Sequence, residues 1–193
     1  VPIDLVSVTA HKCYGPKGIG ALIMLDKLGV NIAPLLYGGG QQHGYRPGTL
    51  PTHQIAGFGA AARLVQECLA TDYERLSQLG SRLLAGLLAV DGVRLNGDPG
   101  HRLPWLINVS VPGVAGESLL AAMSPVALAT GSAIAEPAVV LNALGLDDRL
   151  AGAALRFSLG RETRATDVDV VIAHFDAAVA ALRQISGSLG MTG

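Results

Sequence analysis

VPIDLVSVTAHKCYGPKGIG, residues 1–20, is the stretch of sequence that decides the fold. Its first eight residues are mostly apolar, and Asp4 is their single charge, which predicts a buried strand of an α/β sheet. Gly15-Pro16 then forces a turn, and residues 19–25 (IGALIML) predict a second strand. Lys12 therefore lies at the end of a strand, just before a turn.

The position of Lys12 allows two interpretations. A lysine that loses hydration beside apolar side chains has an amine able to form a Schiff base with an aldehyde. A lysine at a strand end can equally be a solvated surface residue, since isolated lysines mostly face water. The residues alone leave both interpretations open.

The residues around Lys12 carry a longer pattern. SVTAHK (7–12) followed by YGPKGIG (14–20) resembles the cofactor-binding segment of cysteine desulfurases. These are pyridoxal 5'-phosphate (PLP) enzymes of the class V aminotransferase branch of fold type I. The resemblance implies that Lys12 binds the aldehyde of PLP, and that Thr9 and His11 hydrogen-bond its phosphate.

A glycine-rich loop follows the second strand. Gly38-Gly39-Gly40 indicates positive φ angles or a close approach of backbone to a ligand, although such runs are often only turns. Together with RPGTLP (46–51) it resembles the desulfurase loop that reaches across a dimer interface. The resemblance implies a homodimer in which Thr49 contacts the phosphate of the partner's cofactor.

An arginine on a predicted strand is the candidate substrate anchor. The segment LRFSLGR occupies residues 155–161, and a guanidinium is well shaped to bind a carboxylate. A structural salt bridge is the other interpretation of such an arginine. By resemblance, Arg156 binds the α-carboxylate of the substrate, while Arg161 packs or pairs structurally.

The segment ATGSA (129–133) resembles the lead-in to the desulfurase nucleophile, a cysteine that in the family directly follows Gly-Ser-Ala. Here Ile134 follows Ala133, and about four residues of a loop that varies in length are missing relative to the family pattern. Two explanations stay open. Either the loop of the natural protein is longer and contains the cysteine, which we favour, or the protein lacks the nucleophile.

The composition limits the classes of partner. Of 193 residues 50% are hydrophobic, enough for one sizeable core or two small ones. The formal net charge is −1, so the chain has no basic field for nucleic acid, and no apolar run is long enough to span a bilayer. Cys13 and Cys68 form neither a disulfide framework nor a metal-binding spacing, which predicts no metal and a cytoplasmic location.

The order of predicted elements gives the domain organisation. The sequence starts without methionine and inside a strand, so we expect the C-terminal half of a longer protein. A helix is predicted over 52–70, with a helical pattern that resumes or continues to Val90. The predicted fold is α/β, a fold-type I PLP-dependent transferase. It comprises part of the large PLP-binding domain (1–65) and the small C-terminal α/β domain (66–193).

The resemblance implies a PLP-dependent cysteine desulfurase that converts L-cysteine to L-alanine. The sulfur then passes as a persulfide to an acceptor protein, in iron-sulfur cluster assembly or nucleic-acid thiolation. The alternatives are another class V PLP enzyme, an aminotransferase or selenocysteine lyase, and a desulfurase-like binding partner that lacks the nucleophile.

Overall fold

The computed structural model describes residues 3–25, 32–124, 126–129 and 137–190. The chain divides into two compact units, residues 1–70 and 71–193. This division concerns compactness alone, and the domain boundary near residue 65 stays a prediction.

The first unit contains a two-stranded hairpin. Strand β1 (Leu5–Thr9) pairs antiparallel with β2 (Gly20–Met24), in a register that runs from Leu5 opposite Met24 to Thr9 opposite Gly20. The two strands predicted around Lys12 are therefore confirmed, with the lysine in their connection.

The predicted burial of the first strand is wrong for this chain. Leu5 is 40% and Val6 37% exposed, and every residue of β2 is exposed. The apolar pattern correctly indicated a strand. However, β2 is the only strand paired with β1 in the described ranges, so the hairpin leaves much of its apolar surface uncovered.

Helix α1 (Thr52–Leu88) is one continuous element of 37 residues, beginning in the first unit and ending in the second. The sequence left open whether the helical pattern resumes or continues after Ala70, and the structure shows that it continues, since residues 71–74 (TDYE) contain neither glycine nor proline to end a helix. Despite this length, no helix in the described ranges is apolar enough to cross a membrane.

The second unit is built on a three-stranded antiparallel sheet with helices around it. Its strands are β3 (Arg94–Leu95), β4 (Leu106–Ser110) and β5 (Ala154–Ser158), in the order β3-β4-β5. Its helices besides the end of α1 are α2 (Gly116–Ala122), α3 (Pro137–Ala143), α4 (Asp148–Gly152) and α5 (Ala165–Gly190). Beside β5, Ala129 forms a single antiparallel bridge with Arg156.

One face of this sheet forms the core of the second unit. Alternate residues of β4 and β5 are buried on it, and α1, α2 and α5 supply the other buried side chains. The rings of Phe157 on β5 and Phe175 on α5 meet edge to face, with centroids 5.8 Å apart. The residues between them along each strand therefore lie on the opposite face of the sheet.

Two glycines of α1 give a matched test of this packing. A Cβ on Gly80 would overlap the backbone carbonyl of Pro104 and lie 3.3 Å from Trp105 Cα, whereas a Cβ on Gly59 would meet nothing within 4 Å. We expect Gly80→Ala to lower the free energy of unfolding by about 2 kcal/mol, because backbone atoms cannot move aside. Gly59→Ala should raise it by about 0.5–1 kcal/mol through helix propensity.

Denaturant unfolding followed by circular dichroism measures both variants. If Gly80→Ala were as stable as Gly59→Ala, the close approach of α1 to the Pro104 backbone would be contradicted.

Candidate functional site

Ala10 fixes the turn that carries Lys12. Residues Ala10–Lys12 form one turn of 3-10 helix directly after β1. The Ala10 amide donates to Ile19 O at 3.1 Å, and the Ala10 carbonyl accepts from the amides of Cys13 and Gly15 at 2.9 Å each. Ala10 is completely buried, while Lys12 is exposed. The chain is therefore fixed at one small residue, and the lysine that follows projects from it.

The start of α1 packs against the turn. A Cβ on Gly15 would lie 3.1 Å from the Cβ atoms of both Ala10 and Ala61, which leaves no room for a side chain. Gln54 on α1 donates through Nε2 to the carbonyl of Lys17 at 2.9 Å. Small residues and one amide thus hold the segment after Lys12 against the helix.

Three polar side chains lie together at the end of β1. Thr9 Oγ1 and His11 Nδ1 are 2.8 Å apart at an exposed position, and Lys12 follows at once. A hydroxyl and an imidazole suit the oxygens of a phosphate, and a primary amine is the group that reacts with an aldehyde. PLP carries both a phosphate and an aldehyde, so the chemistry of these three residues fits that cofactor.

Thr49 lies in a different part of the first unit. Gln42 and His43 have positive φ angles of 51° and 56°, which non-glycine residues rarely adopt. Gly48 also has a positive φ, its amide donates to Gln41 Oε1 at 3.2 Å, and its carbonyl accepts from Arg46 Nη1 at 3.0 Å. These bonds define the backbone just before Thr49, whose side chain is exposed.

Arg156 lies in the middle of β5. Its amide donates to the carbonyl of Ala129 at 2.7 Å, and its side chain is partly buried. Its Nε is buried without a hydrogen-bond partner among the described residues. A buried donor without an acceptor is unfavourable, so this side chain favours an anionic ligand that accepts from it.

Arg161 has a different environment. Its Nε donates to Asp72 Oδ2 at 3.0 Å, and both side chains are largely buried. The carbonyls of Arg161 and Thr163 in turn accept from the guanidinium of Arg75, at 2.8 Å and 2.7 Å. The structural role predicted for Arg161 is confirmed.

The structure brings Thr9, His11 and Lys12 together in the first unit. Thr49 belongs to the same unit, but no hydrogen bond in the described ranges connects it with these three residues. Arg156 belongs to the second unit. The predicted nucleophile position after Ala133 lies outside the described residues.

The sequence analysis missed the polar neighbours of Arg156 on its sheet. Asn108 lies on the adjacent strand β4 and is the cross-strand partner of Arg156, while Asn96, just after β3, donates to Asn108. The alternation of apolar and polar residues along 107–111 is typical of a half-buried strand and indicates the face on which Asn108 lies. It did not predict which strand lies opposite.

The two arginines should differ in their effect on stability. Arg161→Ala removes a partly buried ion pair, and we expect it to lower the free energy of unfolding by about 1–3 kcal/mol. Arg156→Met keeps the aliphatic chain and removes an unpaired buried donor, so stability should stay within about 0.5 kcal/mol or rise. Thermal unfolding of both variants measures the difference, and an equal loss would show that Arg156 has a structural partner.

Comparison with known proteins gives the family. Residues 1–171 match the family model described as aminotransferase class-V. The chain is 47% identical over 190 residues to cysteine desulfurase IscS of Methylococcus capsulatus, covering 96% of this chain and 47% of that protein. It is 46% identical over 188 residues to cysteine desulfurase IscS of Vibrio cholerae, covering 95% of this chain and 46% of that protein. The chain therefore spans about half the length of the relatives that it matches.

A solved structure supports the same grouping. A NifS-like protein superposes with a TM-score of 0.83 at 31% sequence identity, covering 93% of this chain and 47% of that one. The predicted fold class, a mixed α/β fold of fold-type I, is confirmed. Enzymes of this family use PLP. The matched residues and the fold together show that the chain belongs to the class-V aminotransferase family.

Proposed function

We propose that this chain acts as a PLP-dependent cysteine desulfurase, which converts L-cysteine to L-alanine and passes the sulfur to an acceptor protein. The observation that carries the proposal is the grouping of Thr9, His11 and Lys12 on the Ala10 turn, with Thr9 Oγ1 and His11 Nδ1 2.8 Å apart. Close similarity to proteins named cysteine desulfurase supports the choice of reaction within the family.

Four residues would bind the cofactor. Thr9 and His11 hydrogen-bond its phosphate, and the amine of Lys12 holds its aldehyde carbon. Thr49 binds the phosphate of the partner's cofactor in a homodimer. When bound, PLP supplies an electron-accepting ring that stabilises negative charge at the substrate Cα.

Two side chains act on the substrate itself. Arg156 binds the α-carboxylate of L-cysteine, since a guanidinium with an unpaired buried donor matches a planar anion. Lys12, once its amine is free, takes the proton from Cα and later returns a proton as general base and acid. The exposed position of Lys12 allows this movement.

The sulfur leaves by attack of a thiolate on the substrate sulfur. The carbon–sulfur bond breaks, a sulfur–sulfur bond forms, and the remaining carbon skeleton is protonated to L-alanine. We propose a cysteine after Ala133 as this nucleophile, in a loop longer than the present sequence. Cys13 is a poor substitute, because it directly follows Lys12 and its Sγ lies 3.6 Å from the carbonyl of Thr9.

A second candidate function has one observation in its favour. Ile134 follows Ala133, where the family pattern has the nucleophilic cysteine. A desulfurase-like protein without this thiol would bind PLP and a partner, or carry out another class V reaction such as transamination or selenocysteine cleavage. Formation of a protein persulfide from L-cysteine distinguishes the desulfurase from these alternatives.

Further parts of the proposal concern the whole protein. The predicted organisation places residues 1–65 in the large cofactor domain and 66–193 in the small domain. We further propose a cytoplasmic enzyme whose acceptor serves iron-sulfur cluster assembly or nucleic-acid thiolation, with no direct contact to nucleic acid or membrane. The relatives named IscS support the sulfur-transfer part.

Two lysines in the connection between β1 and β2 give a controlled test. Lys12→Ala should abolish L-alanine formation from L-cysteine, because it removes the amine proposed to move the Cα proton. Lys17→Ala should leave the rate within about twofold, since the link from Gln54 uses the backbone carbonyl of residue 17 rather than its amine. Alanine release and protein persulfide are measured for the PLP-loaded protein. Retained alanine formation by Lys12→Ala would contradict the proposal.

A further inference from the structure

The face of the three-stranded sheet opposite the core carries a row of polar side chains. Asn96 follows β3, Asn108 and Ser110 lie on β4, and Arg156 lies on β5. Their apolar neighbours along the strands, such as Val109 and Phe157, are buried in the core. Ser110 is buried at one end of this polar row, whereas Asn108 and Arg156, the arginine proposed to bind the substrate carboxylate, are only partly buried.

The hydrogen-bond pattern brings Asn108 and Arg156 close together. The flanking pairs of β4 and β5 are joined through backbone bonds from Leu159 N to Trp105 O and from Val111 N to Ala153 O, both 3.0 Å. Since bonded and non-bonded pairs alternate, Asn108 and Arg156 form a non-hydrogen-bonded pair, whose Cα atoms lie about 4.5 Å apart with adjacent side chains. The Arg156 amide is indeed bonded elsewhere, to Ala129.

The side-chain amide of Asn108 is oriented by its neighbours. Asn96 Nδ2 donates to Asn108 Oδ1 at 2.6 Å and to Ser110 Oγ at 2.8 Å. Ser110 Oγ donates in turn to the carbonyl of Leu150 at 2.9 Å, and Ser110 is 1% exposed. Because Oδ1 of Asn108 already accepts from Asn96, its Nδ2 is the end left to donate, and no described residue accepts from it.

Two adjacent groups on this face can only donate. The guanidinium of Arg156 has no acceptor atom, and the outward end of Asn108 is an NH₂ group. Such a pair cannot hydrogen-bond to itself, so its acceptors come from water or from a bound ligand. One charge beside one neutral amide suits a single planar anion, such as a carboxylate, better than a doubly charged phosphate.

We propose that Asn108 is a specificity-determining residue that donates through Nδ2 to the same substrate carboxylate as Arg156. Asn96 is a positioning residue, which holds the Asn108 amide with its donor end outward. This inference rests on the proposed function of Arg156. The further claim is that the protein binds α-amino carboxylates in preference to simple amines through two side chains, Asn108 on β4 and Arg156 on β5, rather than through Arg156 alone.

Equilibrium binding of two amines that carry no sulfur to transfer tests the inference. L-alanine carries the carboxylate, ethylamine does not, and isothermal titration calorimetry of the PLP-loaded protein measures both affinities without turnover. Asn108→Leu keeps the shape and removes the donor, so L-alanine affinity should fall about tenfold to a hundredfold while ethylamine affinity stays unchanged. Asn142→Leu is the matched control, because Asn142 is an exposed residue of α3 whose amide donates to Asp148. This variant should change neither the L-alanine affinity nor the ethylamine affinity.

A second variant, Asn108→Asp, keeps the inference testable if Asn108→Leu does not fold. Asn108→Asp keeps the size and the acceptor for Asn96, but it places a carboxylate beside Arg156 that occupies the guanidinium in place of the ligand. We expect a larger loss of L-alanine affinity than for Asn108→Leu. Unchanged affinity in Asn108→Asp would overturn the inference.

Arg156→Met separates the two levels of the proposal. If Arg156→Met weakens L-alanine binding and the Asn108 variants do not, the inference is wrong and the proposed function stands. If Arg156→Met leaves L-alanine affinity unchanged, the carboxylate assignment itself fails. An equal loss for L-alanine and ethylamine in Asn108→Leu would show a merely structural role, and would also overturn the inference.

Discussion

The three backbone hydrogen bonds of Ala10 are the constraint on which the proposed chemistry depends. They join the end of β1, the start of β2 and the glycine turn at one completely buried residue. Only a small side chain fits there, because a Cβ on Gly15 would already lie 3.1 Å from Ala10 Cβ. The position of Lys12 is thus fixed through a backbone that cannot shift, while its amine remains free to react.

The second unit is organised around the two faces of its three-stranded sheet. Its sheet presents an apolar face to α1, α2 and α5, and this face forms the core. The opposite face carries polar groups whose side-chain hydrogen bonds end at the carbonyl of Leu150, together with Ala154, which packs in a small apolar cluster with Ala151 and Leu141. The proposed ligand recognition uses this second face, where Arg156 keeps an unpaired buried donor.

Short segments of the sequence predicted the structure correctly where residues that contact each other are also close together along the chain. The turn at Lys12 and both strands around it followed from short segments. Burial of β1 did not, because burial depends on elements that pack from elsewhere in a chain. The pairing of Asn108 with Arg156 was not predicted either. The two residues are separated by 47 others in the sequence, and a local pattern does not give the register between distant strands. The position of a polar residue in a strand's alternating pattern predicts which face of the sheet it lies on, but its partner on the next strand is known only from the fold.

The most direct measurement is the site of covalent cofactor attachment. The protein is incubated with PLP, reduced with borohydride to fix any bond between the aldehyde and an amine, digested, and analysed by mass spectrometry. The central role of Lys12 predicts the reduced-cofactor mass on the peptide that contains Lys12, and its disappearance in Lys12→Ala. Attachment at Lys17, or no attachment at all, would contradict it.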